Sequence, residues 1–237
     1  MRPLRRVLLA SLLMLGAGWA AVHAQTIAPV LVELTPARRV VSVTMTNTSS
    51  RAMTYQAQTV AWTQTEGADR YADSTDLLVV PPVAEIAPGG SQIFRVTLRR
   101  PQPAREMAYR LIFEDVTEDI SPPADGATVR LQFRHSLPVF AGPPPNSKGQ
   151  ARMAACEPAS SHCARLYNDG DHRLRITQVT GEQDGWRGEV KAPATLLAGA
   201  WKQWTFEPPR SSMTQPLKVS ADTTAGAVSL ELPNQGR

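Results

Sequence analysis

The chain has little of what a catalytic or membrane-spanning protein draws on. It holds two cysteines and four histidines, and aromatic residues fill only 6% of its 237 positions. There is no GxSxG, HExxH or P-loop, and no GxGxxG in a strand-turn-helix setting, so the usual nucleophile, zinc-hydrolase and nucleotide motifs are missing. Asp169, Asp171 and His172 gather around a glycine turn but lack the ligand set of a calcium loop. They read as a hairpin turn. Beyond residue 21 nothing approaches the 18 or so apolar residues that a membrane helix requires. Long helical periodicities are also scarce, and 20 prolines punctuate the chain, which favours an all-β fold.

Positive charge is scarcer than it looks. Arg2, Arg5 and Arg6 precede an apolar stretch, Val7 to Ala21, and the small-residue site Val22-His23-Ala24. Residues 1–24 therefore read as a cleaved secretory signal, with the mature chain starting at Gln25. Without them the 25 Lys+Arg nearly balance the 21 Asp+Glu. No basic face with interleaved aromatics is visible, so nucleic-acid binding has no support.

In an exported protein, Cys156 and Cys163 are expected to form a disulfide closing the short loop Glu157 to His162, worth ~2 to 3 kcal/mol by loop entropy. The sharper alternative is a reactive or metal-bound thiol pair beside His162. Zinc sites usually want four ligands at tighter spacing, so no metal is expected.

Short apolar-alternating runs separated by turn residues fill the rest. The first set is Val30 to Leu34, Val40 to Thr46, Tyr55 to Thr63, Leu77 to Val80, Gln92 to Leu98, Met107 to Val116 and Thr128 to Phe140. Residues 64–76 and 117–127 read as polar loops. About seven strands in ~115 residues match an immunoglobulin-like sandwich. Pro143-Pro144-Pro145-Asn146-Ser147 interrupts the pattern and places a linker at 143–149. Residues 150–237 carry a second strand set of the same class: Ala151 to Cys156, Ala164 to Tyr167, Leu174 to Val179, Trp186 to Val190, Trp201 to Phe206, Leu217 to Ser220 and Ala227 to Leu232. The expectation is two immunoglobulin-like β-sandwiches, 25–142 and 150–237, with no internal sequence repeat.

Two stretches are distinctive. In Gly126 to Phe140, Val129, Leu131, Phe133, Leu137 and Val139 share one parity, interrupted by His135, while Arg130, Gln132, Arg134 and Ser136 take the other. That run is longer than the usual strand of about 5 to 6 residues. The second stretch is Val79 to Val96. There Pro81-Pro82 ends a strand and switches the chain between sheets, Pro88-Gly89 has the residues of a type II turn, and Phe94, Val96 and Leu98 share a face.

The run PPxxxIxPGxxQxxRV, then Tyr109 to Val116, then Ser136-Leu137-Pro138-Val139-Phe140, then Tyr167-Asn168-Asp169-Gly170, resembles the periplasmic pilus chaperones of the PapD-like kind in order and spacing. Trp62 to Tyr71 and the SLPVF ending resemble the archaic, Csu-type branch. The resemblance implies a boomerang of two immunoglobulin-like domains in the periplasm, with pilin subunits and an outer-membrane usher as partners. It implies no ATP, cofactor or catalytic residue. In that family the chaperone inserts its G strand into the groove of an unfinished pilin. Here Val129, Leu131, Phe133 and Leu137 are the expected donors, worth about 6 to 12 kcal/mol gross if all are buried, while Val139 is assigned to the chain's own core. An exposed G edge would also favour self-association of the free protein.

The family's carboxylate clamp does not carry over. The first strand, Val30-Leu31-Val32-Glu33-Leu34, lacks its arginine, and the lysine's place falls near Pro138. Arg95, Arg110 and Arg134 are the candidates for a charge-assisted anchor, with Arg95 favoured because it lies opposite in parity to Phe94 and Val96; the bland reading is a solvated arginine. Asp115 stands where the family has an interdomain acid, although Gly142 replaces its basic partner. The rival reading is a secreted two-domain binding or structural module of the pilin or adhesin kind. Against it, no donor extension follows Gln25.

Overall fold

Alternation of apolar and polar residues at period two governs the strands. In β3 (Val40–Thr46) Val41, Val43 and Met45 point inward, and in β8 (Ser91–Leu98) Phe94, Val96 and Leu98 do the same. The computed structural model describes residues 25–101, 103–118, 132–142, 146–157, 162–190, 194–208 and 215–233. The signal reading at 1–24, the donor positions Val129 and Leu131 and the prolines of the linker lie outside them.

Among the described residues there are strands and no helix. Up to Ala141 the strands pair only with one another: β1 (Thr26–Ala28), β2 (Val32–Leu34), β3, β4 (Met53–Thr65), β5 (Ala68–Asp73), β6 (Leu77–Val80), β7 (Val83–Ile86), β8, β9 (Met107–Asp115) and β10 (Arg134–Ala141). One sheet runs β1-β3-β8-β6, and the facing sheet runs β2-β10-β9-β4-β5 with β7 on β4. Phe94 and Phe113 meet across the sandwich with ring centroids 4.7 Å apart.

From Ala151 a second sandwich follows: β11 (Ala151–Ala155), β12 (Cys163–Asn168), β13 (Leu174–Gln183), β14 (Trp186–Val190), β15 (Ala194–Leu196), β16 (Trp201–Thr205), β17 (Leu217–Thr223) and β18 (Gly226–Leu232). Its sheets run β11-β12-β16 and β14-β13-β17-β18, with β15 on β13. The fold is therefore all-β, as two immunoglobulin-like sandwiches. Cys156 and Cys163 are joined as a disulfide.

The sheet switch at Pro81-Pro82 is present: β6 belongs to one sheet and β7 to the other, with a cis bond at Val80-Pro81. Gly89 has φ 68°, and Gly90 N–H donates to Ala87 O at 2.9 Å, closing the expected turn. Two expectations need correction, and one short strand lies outside the sequence pattern. Residues 68–73 are not loop but β5, paired with the far end of β4, because the hairpin turn at Glu66 and Gly67 doubles the chain back. The last strand of the first sandwich begins, as described, at Arg134. Short β15 has no alternation to betray it, and its one strand partner is β13.

A repeat invisible in the sequence also appears. Asn47 follows β3 and Asn168 ends β12, and both are buried. The Asn47 side-chain amide donates to Arg51, Ile86 and Ala87 carbonyls, and that of Asn168 to His172, Leu196 and Leu197 carbonyls. Each backbone closes the same way: Gly89 N–H donates to Asn47 O, and Gly199 N–H to Asn168 O, at 2.8 and 2.9 Å. The two sandwiches thus carry one corner design twice.

Candidate functional site

Two features meet at one side of the molecule: an uncovered strand edge and a cleft between the sandwiches.

The edge belongs to β10. Along its whole length it pairs with β9, but β2 covers its other side only from Val139 to Ala141. Phe133 O accepts from Asp115 N–H at 3.0 Å, so residues of that parity turn their backbone groups toward β9. The alternation of an antiparallel ladder then turns the N–H and C=O of Arg134 and Ser136 outward. Pro138 shares that outward parity, so the missing N–H of proline costs the ladder nothing. Among the described residues no strand covers Arg134 to Ser136 on that side.

Side chains along β10 divide by position. Phe133 is 41% exposed at the open end, whereas Leu137 is 5% exposed and packs with Leu111 and Val139 in the first sandwich's core. Leu137 is therefore corrected from donor to core residue: opposite Leu111 its side chain drops between the two sheets. His135 lies between these regimes, stacked on Phe133 at 6.3 Å, with Nε2 buried and lacking a hydrogen-bond partner. Burial lowers its pKa from the ordinary histidine value.

The cleft encloses about 910 Å³. Trp62, Arg110, Pro138 and Phe140 line it from the first sandwich; Arg173, Arg175, Ala194 and Thr195 line it from the second, with Lys148 between. No carboxylate is among its lining residues. The guanidinium of Arg110 lies over the Trp62 ring, 4.1 Å from its centroid. Arg110 Nε and Trp62 Nε1 are both buried without a hydrogen-bond partner. Two orphaned donors in a cleft also lined by Arg175 and Lys148 are suited to an anionic group.

Arg95, the favoured anchor in sequence, is placed elsewhere. It is exposed on β8 in the four-stranded sheet, between Ser42 and Val80, and does not line the cleft. Parity showed correctly that it faces away from the core, but not which sheet it faces away from. Arg134 is exposed on β10 opposite Glu114, on the uncovered edge. Of the three arginines only Arg110 reaches the cleft.

Asp115 is likewise corrected. It is buried within the first sandwich, where its Oδ1 accepts from Thr117 N–H at 2.9 Å and from Thr117 Oγ1 at 2.5 Å, closing the turn after β9. It also helps desolvation push the Tyr55 hydroxyl up to about 12. The residue that bridges the sandwiches is Glu106. Its carboxylate accepts from Arg173 N–H at 3.0 Å and pairs with the Arg173 guanidinium, and His172 Nδ1 lies 2.9 Å away. Arg173 also pairs with Glu33 and lies over Phe140, 3.8 Å from the ring centroid. Glu106 precedes β9 in an irregular stretch, and its partners sit in a hairpin turn 67 positions on; no periodicity links them.

Comparison with known proteins fits this arrangement. In the crystal structure of the CsuC-CsuE chaperone and tip subunit pre-assembly complex of Acinetobacter baumannii, the matched chain is 20% identical, with a TM-score of 0.62 over 88% of this chain and 97% of that one. The class 5 fimbriae chaperone CfaA is 13% identical, with a TM-score of 0.64 over 89% and 99%. A chain of the SafA pilin and SafB chaperone complex of Salmonella enterica is 12% identical, with a TM-score of 0.61 over 90% and 99%. These likenesses establish a shared fold. Among curated proteins none matches. The model of the pili and flagellar-assembly chaperones, PapD N-terminal domain, matches residues 24–146, more than half of the chain and all of the first sandwich; the chain belongs to that chaperone family.

Proposed function

We propose that the protein is a periplasmic chaperone of the archaic, Csu-type branch, exported by the signal at 1–24, that completes the fold of pilin subunits by strand donation and delivers them to an outer-membrane usher. The observation that carries this reading is the partly uncovered β10 edge. A partner strand laid along Arg134 to Ser136 satisfies its own backbone groups and those of β10 together.

Val129, Leu131 and Phe133 fill pockets in the client groove, with Leu137 withdrawn from that set because it is core. Arg110 holds the client's C-terminal carboxylate in the cleft. Its guanidinium is already positioned by Trp62, so little ordering entropy is lost on binding. Release needs no ATP or cofactor, since a pilin that exchanges this strand for one from another subunit gains a better fit. Unliganded copies self-associate through the same edge.

Co-expression with a candidate pilin tests the reading. The expected result is a 1:1 periplasmic complex that is lost in Leu131→Asp plus Phe133→Asp while that variant stays folded. A complex that persists at wild-type yield would overturn it.

A further inference from the structure

The strand β4 runs for 13 residues, Met53–Thr65, and serves two cores. Met53 and Tyr55 belong to the first, whereas Trp62 belongs to the second sandwich's buried cluster with Leu174 and Leu196. Beyond Trp62 the strand reaches across the joint. Gln64 Nε2 donates to Thr195 O at 2.9 Å, and Gln64 Oε1 accepts from Leu197 N–H at 2.9 Å. Both hydrogen-bonding ends of one side chain thereby grip β15 and the residue after it. The same Nε2 donates to Asp69 Oδ1 on β5 at 2.8 Å, which holds Gln64 in this rotamer.

The hairpin tip is fitted as closely. Glu66 and Gly67 both have positive φ, 54° and 76°, as a tight two-residue turn requires. Gly67 seats the Trp201 ring of the second sandwich, and a Cβ there would stand 2.9 Å from Trp201 Cζ3. The Arg165 guanidinium also lies over the Trp201 ring, 4.3 Å from its centroid. Thr195, which the hairpin holds, also lines the cleft opposite Arg110.

We propose that the β4-β5 hairpin is a strap that sets the width of the interdomain cleft, and that Gln64 is its positioning residue. Without the strap, β15 is tied only to its own sandwich, and the end of the cleft wall that carries Thr195 loses its tether while the Glu106–Arg173 pair still holds the other end. This inference rests on reading the cleft as the seat of the client's carboxylate, so its test separates the two. Spin labels at Ser42→Cys and Ser229→Cys, exposed on the first and second sandwich, report the interdomain distance by pulsed electron resonance in the full mature chain. A fluorescein-labelled peptide of alternating apolar residues with a free carboxylate reports binding. Gln64→Met keeps the volume and removes both interdomain hydrogen bonds. The expected result is a longer and broader distance distribution and roughly tenfold weaker peptide binding, with the cooperative unfolding transition retained at a modestly lower melting temperature. A distribution superimposable on the wild type overturns the strap, whatever the peptide does. A widened distribution with unaltered peptide affinity upholds the strap and removes the cleft as the client's seat.

Discussion

Glu106 and Arg173 lock the joint between the sandwiches: the Glu106 side chain is 2% exposed, and Arg173 holds it through both its backbone N–H and its guanidinium. Burial raises the Glu106 carboxyl, and Arg173 and His172 pull it back only in part.

Replacing Arg173 by Leu strands that carboxylate, and the expected loss is about 3 to 5 kcal/mol of unfolding free energy at neutral pH, measured by urea denaturation. The raised carboxyl favours the neutral form in the fold. Its contribution is therefore full below the unfolded carboxylate value and is lost as pH rises through the folded one. The deficit of Arg173→Leu should accordingly shrink as the pH is taken from 7 towards 4. A deficit constant across that range would show that the charge pair is not its origin.

The paired asparagine corners give a second expectation. Asn47→Ala and Asn168→Ala each leave three carbonyls without their donor and two donors without their acceptor, and each should cost about 3 to 5 kcal/mol at ~1 kcal/mol per lost bond. Hydrogen exchange should localise the loss to the first sandwich for Asn47 and to the second for Asn168. Global, identical loss of protection from both would contradict independent corners.

His135 predicts an acid response. Desolvation lowers its folded pKa below the ordinary 6.5, so the contribution is whole above that value and is lost as pH falls through the folded one. Wild-type protein should lose more stability than His135→Leu between pH 7 and pH 5, read as the difference in thermal midpoint. Parallel curves for the two proteins would exclude His135 as the source.

The arginines separate by position. Arg110→Ala should lower client affinity by about tenfold to a hundredfold, as expected of a charge-assisted hydrogen bond worth ~1.5 to 3 kcal/mol, whereas Arg95→Ala should match wild type. Titration of a purified client subunit into each variant decides it. Equal losses would mean that the cleft does not hold the client.

Strands whose alternation follows one buried face were legible in the sequence: Val40–Thr46 and Leu77–Val80 have the bounds read from pattern alone. β5 was not, because all its residues are exposed and it buries no face. Among site residues, the parity of β10 separated inward from outward side chains. It does not show where the strand stops covering its own core and starts extending past it, so pattern alone places Leu137 with Phe133. Among the three candidate arginines, parity favours Arg95 over Arg110. Only the folded arrangement sets it on Trp62, and Glu106, Gln64 and Arg173 act through contacts between strands far apart in the chain, where no spacing rule applies.

The outward-turned main chain at Arg134 and Ser136 bears on selectivity. Hydrogen bonds to peptide groups are blind to side-chain identity, so an extended segment of almost any composition can zip onto that rim. On the strand-donation reading, one copy of the protein serves chemically different subunits, and discrimination among them is left to how well Phe133 fits each cavity.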